Sequence, residues 1–349
     1  DQFPNRPAFL KAYTQKEIFL NKILIFSIVL VLFTGCGAKN ENNEETNSNG
    51  KEKVTFMLDW VPNTNHTGIF VAKEKGFYDE LNIDIEIINP PEESVTALVT
   101  AGKANFGISF QDSIAMALNE NEVFPVVAVA GIIQHNTSGL LSLKEKGIET
   151  FKDLEGKTYA TWGNDIEQAT IKQVMENENG NFENVELYYS TVTDAVSAMQ
   201  TNVDAVWVYE AWDAMMAKVS GIDYNFLRFS DVEPALDFYS PVLISNEEFL
   251  NSNEDLAKRF LEATKKGYEF AIENPEEAAE ILHKYSPEYD LEMLIESQKF
   301  LSKEYKADAK KWGYIDEDRW NRFFSWLYEK EIIKNNILGK GFSNDYLPE

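Results

Sequence analysis

From Val54 onward, short apolar runs alternate with stretches whose apolar residues recur every three or four positions, and this alternation limits the possible folds more than any other feature. Residues 54–58, 83–88, 105–110 and 126–130 read as strands, with helices over 66–80, 94–101 and 111–119 between them. A second set repeats the order, with a strand over 159–162, a helix over 166–176, a strand over 185–189, a helix from Ala195 and a strand over 205–209. Strands separated by helices are the pattern of an α/β fold with mostly parallel sheet, and two similar sets predict two lobes built alike. The apolar, β-branched segment 238–245 is expected to return the chain to the first lobe. Four helical stretches over 254–273, 275–285, 290–305 and 316–331 close the sequence, with Asn274 capping a helix that starts at Pro275. No period of 20–50 residues recurs, which excludes a solenoid.

Length and composition narrow the function classes. At roughly 100–200 residues per domain, 349 residues predict about two domains. A net charge of −26 repels phosphate backbones and excludes a nucleic-acid partner. One cysteine excludes a disulfide framework, and three scattered histidines offer no material for a metal centre. The GxSxG, P-loop, HExxH and GxGxxG motifs are absent, and neither Asp59 nor Glu210 is paired by sequence with a nucleophile.

The first 35 residues differ from the rest. Lys16 and Lys22 precede the apolar run 23–33, which leads into Thr34-Gly35-Cys36-Gly37. The run is shorter than the ~20 apolar residues of a membrane span, so it reads as a secretory signal behind an upstream segment of residues 1–15. Cys36 stands where a bacterial lipobox places its lipid-modified cysteine, although Phe33 occupies a position that usually carries Leu. Residues 36–52 are expected to form a flexible lipid-anchored tether, because 37–50 lack apolar periodicity and cannot offset their ordering entropy. The body then divides into a first lobe of residues 53–135 plus 240–349 and a second lobe of 136–239. Loss of residues 1–35 removes four basic and two acidic residues and leaves −28.

Open α/β sheets bind ligands in the loops beyond the carboxyl ends of their strands. Here those loops are Asp59 to His66, Phe110 to Asp112, Thr161 to Asn164 and Trp207 to Trp212. They are rich in indole and phenol rings, which offer flat apolar faces with a polar handle, and in amides and carboxylates suited to a planar heteroaromatic ligand. The loops contribute Asp59, Trp60, Asn63, His66, Phe110, Gln111, Trp162, Asn164, Tyr209 and Glu210 as candidate ligand-binding residues, and Tyr239 near the return segment completes the set. Glu210 is the candidate for accepting from a ring amine. Asn164 with Glu167 also fits a capping box, and the two roles are compatible. No loop carries an Arg, which argues against a strongly anionic ligand.

The segment 58–78, LDWVPNTNHTGIFVAKEKGFY, is similar to the opening of the NMT1/THI5-like family. Segments 98–107, LVTAGKANFG, 151–157, FKDLEGK, and 268–278, YEFAIENPEEA, extend the resemblance over about residues 53–349. It implies a two-lobed periplasmic-binding-protein fold with two hinge crossings and a ligand cleft between the lobes. It also implies an extracytoplasmic solute-binding lipoprotein of an ABC importer, acting as a monomer with a permease and its ATPase as partners. The implied ligand is a thiamine-pyrimidine precursor, hydroxymethyl- or formylaminomethyl-aminopyrimidine, with the Asp59-Trp60 loop, Trp162 and the Tyr209-Glu210 pair lining the pocket. Riboflavin or another flat heterocycle is the alternative that the family's range allows. The same family contains fungal pyrimidine-synthesis enzymes that consume a histidine and a lysine-bound pyridoxal phosphate. The matching positions here are Ser109 and Ser113, and the enzymes' cysteine cluster is missing, so the resemblance implies a binder without cofactor rather than an enzyme.

Overall fold

The computed structural model describes residues 50–90, 94–120 and 124–349. The expected signal, the lipidation at Cys36 and most of the tether lie outside the described residues. Glu52, assigned to the tether from sequence, instead opens the first strand opposite Ile83, and Lys51 pairs with Asp79 at 2.6 Å.

The first part of the body runs β1 (Glu52–Met57), α1 (Thr67–Glu74), α2 (Phe77–Glu80), β2 (Ile83–Ile88), α3 (Val95–Thr100), β3 (Phe106–Ser109), α4 (Gln111–Glu120) and β4 (Val126–Gly131). The helix expected over 66–80 is broken at Gly76, whose φ of 78° favours glycine and leaves α1 and α2 as separate pieces. The second part runs β5 (Ser138–Leu143), β6 (Thr158–Thr161), α5 (Asp165–Asn177), β7 (Glu186–Tyr189), α6 (Ala195–Thr201), β8 (Ala205–Tyr209), α7 (Met215–Val219) and β9 (Tyr224–Arg228). The chain then returns through β10 (Val242–Asn246) and closes with α8 (Glu247–Ser252), α9 (Glu254–Glu273), α10 (Pro275–His283), α11 (Leu291–Glu304) and α12 (Glu317–Glu329).

Two five-stranded sheets result, ordered β2-β1-β3-β10-β4 and β7-β6-β8-β5-β9. In each, the strand in fourth place runs antiparallel to both neighbours and the other four are parallel. Those two strands are the first after each passage between the sheets. β5 follows the crossing at 132–137, and β10 follows the one at 229–241. Two lobes of one design, joined twice, make up the body. Each lobe's parallel strands aim their carboxyl ends at the other, which fixes where a ligand site can form.

The crossings are tied to each other. Asp237 accepts from the Asn136 backbone N–H at 2.9 Å and contacts His135 Nδ1 at 2.8 Å, while Asn136 Nδ2 donates to the Leu236 carbonyl at 2.8 Å. Among the described residues, no helix is long and apolar enough to cross a membrane.

Candidate functional site

A cavity of about 220 Å³ lies between the lobes, at the carboxyl ends of β1, β3 and β8. Of the residues expected from sequence, Asp59, Trp60, Asn63, Phe110 and Tyr209 line it. Thr64 and Asn65 join them from the first lobe, and Ala211, Trp212 and Asp213 from the second. An adjoining space of about 440 Å³ shares Asp59, Trp60 and Phe110 and adds a hydroxyl wall of Ser94, Thr96, Ser109 and Ser113. A larger hollow of about 520 Å³ beside Phe124, Leu250 and Phe342 lies at the end of the first sheet remote from the carboxyl ends of β1 and β3.

The first-lobe wall is held by local bonds. Asn63 caps a single 3₁₀ turn over Thr64–His66, and its side chain accepts from the Asn65 N–H at 2.9 Å. The Asn63 N–H donates to His66 Nδ1 at 3.3 Å, so the ring proton sits on Nε2, which donates to Asp59 at 2.7 Å. His66 is fully buried, and its part is to fix the Asp59 carboxylate rather than to line the described cavities.

The second-lobe wall is a π-helical turn over Glu210–Ala214 that follows β8 directly. Such wide turns recur at functional sites. This one rests on α11: Ser297 Oγ donates to the Ala211 carbonyl and meets Thr64 Oγ1 at 2.6 Å. Lys218 pairs with Glu296 across the same contact at 2.7 Å.

The aromatic content is arranged as edges and faces around the space. The Trp60 ring meets Trp212 edge-on at 6.2 Å, Trp212 meets Tyr289 at 4.8 Å, and Trp60 keeps 48% of its surface exposed. Tyr209 contacts Ser240 Oγ at 3.0 Å, which links the wall to the second crossing, and burial pushes its phenol up, with Asp112 and Asp59 adding to the effect. Burial also raises the carboxyls of Asp112 and Asp213, the latter to about 6. Among the described lining residues of both spaces there are two carboxylates and no Lys or Arg.

Five other candidates are placed away from the described cavities. Gln111 and Tyr239 form a buried brace: the Tyr239 N–H donates to Gln111 Oε1 at 2.9 Å, Gln111 Nε2 donates to the Trp320 carbonyl at 2.8 Å, and the Tyr239 hydroxyl accepts from the Asp316 N–H at 2.8 Å. Asn164 caps α5 through the Glu167 N–H at 2.8 Å, but the capping box is not reciprocal. The Glu167 carboxylate turns instead to the N–H groups of Trp162 and Gly163, at 2.9 and 3.1 Å, and so shapes that loop. Trp162 is 47% exposed and leans on Trp207 at 5.7 Å. The Glu210 carboxylate is occupied by Arg228 at 2.5 Å, a partner that no reading of the loop alone could supply because Arg228 arrives on β9.

Comparison with known proteins places the chain in a family and a fold. The NMT1/THI5-like family model matches residues 63–278. The formylaminopyrimidine-binding protein of Halalkalibacterium halodurans is 27% identical over 326 residues, 91% of this chain and 96% of that protein. A 4-amino-5-hydroxymethyl-2-methylpyrimidine phosphate synthase of Legionella pneumophila is 26% identical over 307 residues, 86% of this chain and 93% of the enzyme. Among solved structures, the alkanesulfonate-binding protein SsuA from Xanthomonas axonopodis pv. citri, bound to MOPS, superposes with a TM-score of 0.65 at 9% identity, covering 83% of this chain and 98% of that one. The fold is accordingly the two-lobed fold of periplasmic solute-binding proteins, and this chain belongs to the NMT1/THI5-like family.

Proposed function

We propose that the chain is an extracytoplasmic solute-binding protein of an ABC importer that closes on a thiamine-pyrimidine precursor, formylaminomethyl- or hydroxymethyl-aminopyrimidine. The observation that carries this reading is the interlobe cavity walled by Trp60, Phe110, Tyr209 and Trp212 with carboxylates and no basic residue. Flat apolar faces suit a heteroaromatic ring, and carboxylates suit its N–H donors. A sulfonate needs cationic donors that these walls lack. The hydroxyl wall of Ser94, Thr96, Ser109 and Ser113 suits the polar substituent of such a ring.

Similarity to the formylaminopyrimidine binder over 91% of the chain supports a binder, and serines at positions 109 and 113 oppose the synthase chemistry of the enzyme relatives. In this reading Cys36 carries the lipid anchor after signal cleavage, and the closed form delivers its ligand to a membrane permease. Moving a two-state closure from 1:99 to 99:1 takes about 5.5 kcal/mol of differential affinity, which ring contacts and buried hydrogen bonds made only on closure can supply.

Calorimetric titration with formylaminopyrimidine, 4-amino-5-hydroxymethyl-2-methylpyrimidine, riboflavin and an alkanesulfonate tests the reading. Saturable binding of either pyrimidine alone is expected. Binding of riboflavin or the sulfonate with neither pyrimidine bound would replace it.

A further inference from the structure

The cavity holds one acidic group whose role the fold does not explain. Asp59 is engaged by His66 and Glu210 by Arg228, whereas among the described residues no side chain donates to the Asp213 carboxylate. Asp213 nevertheless lines the aromatic space, on the π-helical turn anchored to α11. The charged groups on the elements packed against that turn are already spoken for: Lys218 with Glu296, Arg228 with Glu210, Lys299 with Glu276. Asp194 bears on Asp213 as a like charge, burial raises the Tyr289 phenol with Glu288 and Asp213 adding to it, and the Asp59–His66 pair stands across the space. Its own backbone N–H is the one donor that bears on the carboxylate, and a largely desolvated carboxylate with its other lone pairs unmatched is costly, so the position suits a donor from the ligand.

We propose, on the aminopyrimidine reading above, that Asp213 rather than Glu210 recognises the ligand's amidine edge as a hydrogen-bonded pair sharing one proton, so that binding takes up a proton from solvent. A 4-aminopyrimidine presents an N–H of the amine beside a lone pair on the ring nitrogen. A carboxylate only accepts. Two parallel bonds therefore need one proton in the second bridge, between the other carboxylate oxygen and the ring nitrogen. The bound pair holds one proton more than ionised Asp213 plus the neutral ring, and no bond other than those hydrogen bonds is made or broken. Burial already favours the protonated carboxyl, with its midpoint pushed up to about 6. Affinity then falls about tenfold per unit above that pH, and it declines again on the acid side where the free ring nitrogen is itself protonated.

The test is titration of the protein with formylaminopyrimidine between pH 5 and 8.5, in buffers of different ionisation enthalpy, for wild type, Asp213→Ala and Asp213→Asn. Near pH 8, wild type should take up close to one proton per ligand. Asp213→Ala should lose at least tenfold in affinity. Asp213→Asn carries the neutral donor and acceptor built in, so it should bind within about threefold of the wild-type maximum, with neither pH slope nor proton uptake. Because the Asn side chain has the shape of the original, that arm decides even where the Ala variant fails to fold. Wild-type affinity in Asp213→Ala, or proton uptake persisting in Asp213→Asn, would overturn the assignment while leaving the pyrimidine reading intact. Failure of wild type to bind at pH 6 would overturn both.

Discussion

Trp60 shows at the scale of one residue how a site differs from a core. It leaves 48% of its surface in water at a strand end, beside a ring that meets it edge-on, whereas Trp312 and Trp320 are wholly buried. Trp60→Ala should weaken formylaminopyrimidine by about 10–100-fold, roughly 1.5–3 kcal/mol of lost ring contact, while the melting temperature without ligand stays near that of wild type. Parallel calorimetry and thermal melts check both. Asp59, Trp60, Asn63, Phe110 and Tyr209 were legible because strand carboxyl ends can be found from apolar periodicity. Gln111 and Tyr239 carry the same polar and aromatic chemistry, but their placement depends on partners far along the chain, Trp320 and Asp316, whereas His66 turns inward to bond its near neighbours Asn63 and Asp59. Asp213 was illegible for another reason: the π-helical turn shifts the phase of the residues after Tyr209, and a 3.6-residue period does not anticipate it.

At the scale of elements, two contacts set testable limits. Helices α1 and α9 cross at Gly68 and Gly267, where a Cβ added at Gly267 would lie 2.0 Å from the Gly68 carbonyl oxygen. That neighbour is backbone, so the helices must part. Gly267→Ala should cost about 1–3 kcal/mol in urea unfolding, despite the better helix propensity of Ala, and an unchanged midpoint would contradict the packing. The second contact is the crossing cluster. His135 meets Asp237 at 2.8 Å and Asp308 at 3.1 Å, and its imidazole titrates higher than usual chiefly through the Asp237 bond. Burial works to raise the Asp237 carboxyl, but His135 and Arg319 hold it below the ordinary range. A raised histidine contributes stability that is complete below its unfolded value of about 6.5 and is lost as pH rises through the folded value. A depressed carboxyl contributes above its unfolded value of about 3.9 and loses that as pH falls. The pair is therefore strongest between about pH 4 and 6.5. His135→Ala should destabilise by about 0.5–1 kcal/mol at pH 5.5 and by visibly less at pH 8.5, as read by urea unfolding at each pH. An equal loss at both would remove the charge from the account.

At the scale of the whole molecule, the two-lobe plan was readable because the βα order repeats. The identity of the two sheets was not, because β5 and β9 escape the pattern. β5 (SGLLSL) has no helix between it and β4, and β9 (YNFLR) is half-exposed along its length, without the apolar run that marks the other strands. β5 takes its place between β8 and β9, so the antiparallel fourth strand of the second lobe is a tertiary fact rather than a local one, whereas its counterpart β10 lies in the apolar return segment. That arrangement brings the loops after β1, β3 and β8 to one space, and the functional account rests on that convergence. The most direct test is a crystal structure of the protein grown with formylaminopyrimidine. The account predicts the pyrimidine ring between the lobes, against Trp60, Tyr209 and Trp212, with its amine edge on Asp213. A ring bound elsewhere on the surface, or a ligand held at the interlobe cavity through an anionic group, would contradict it.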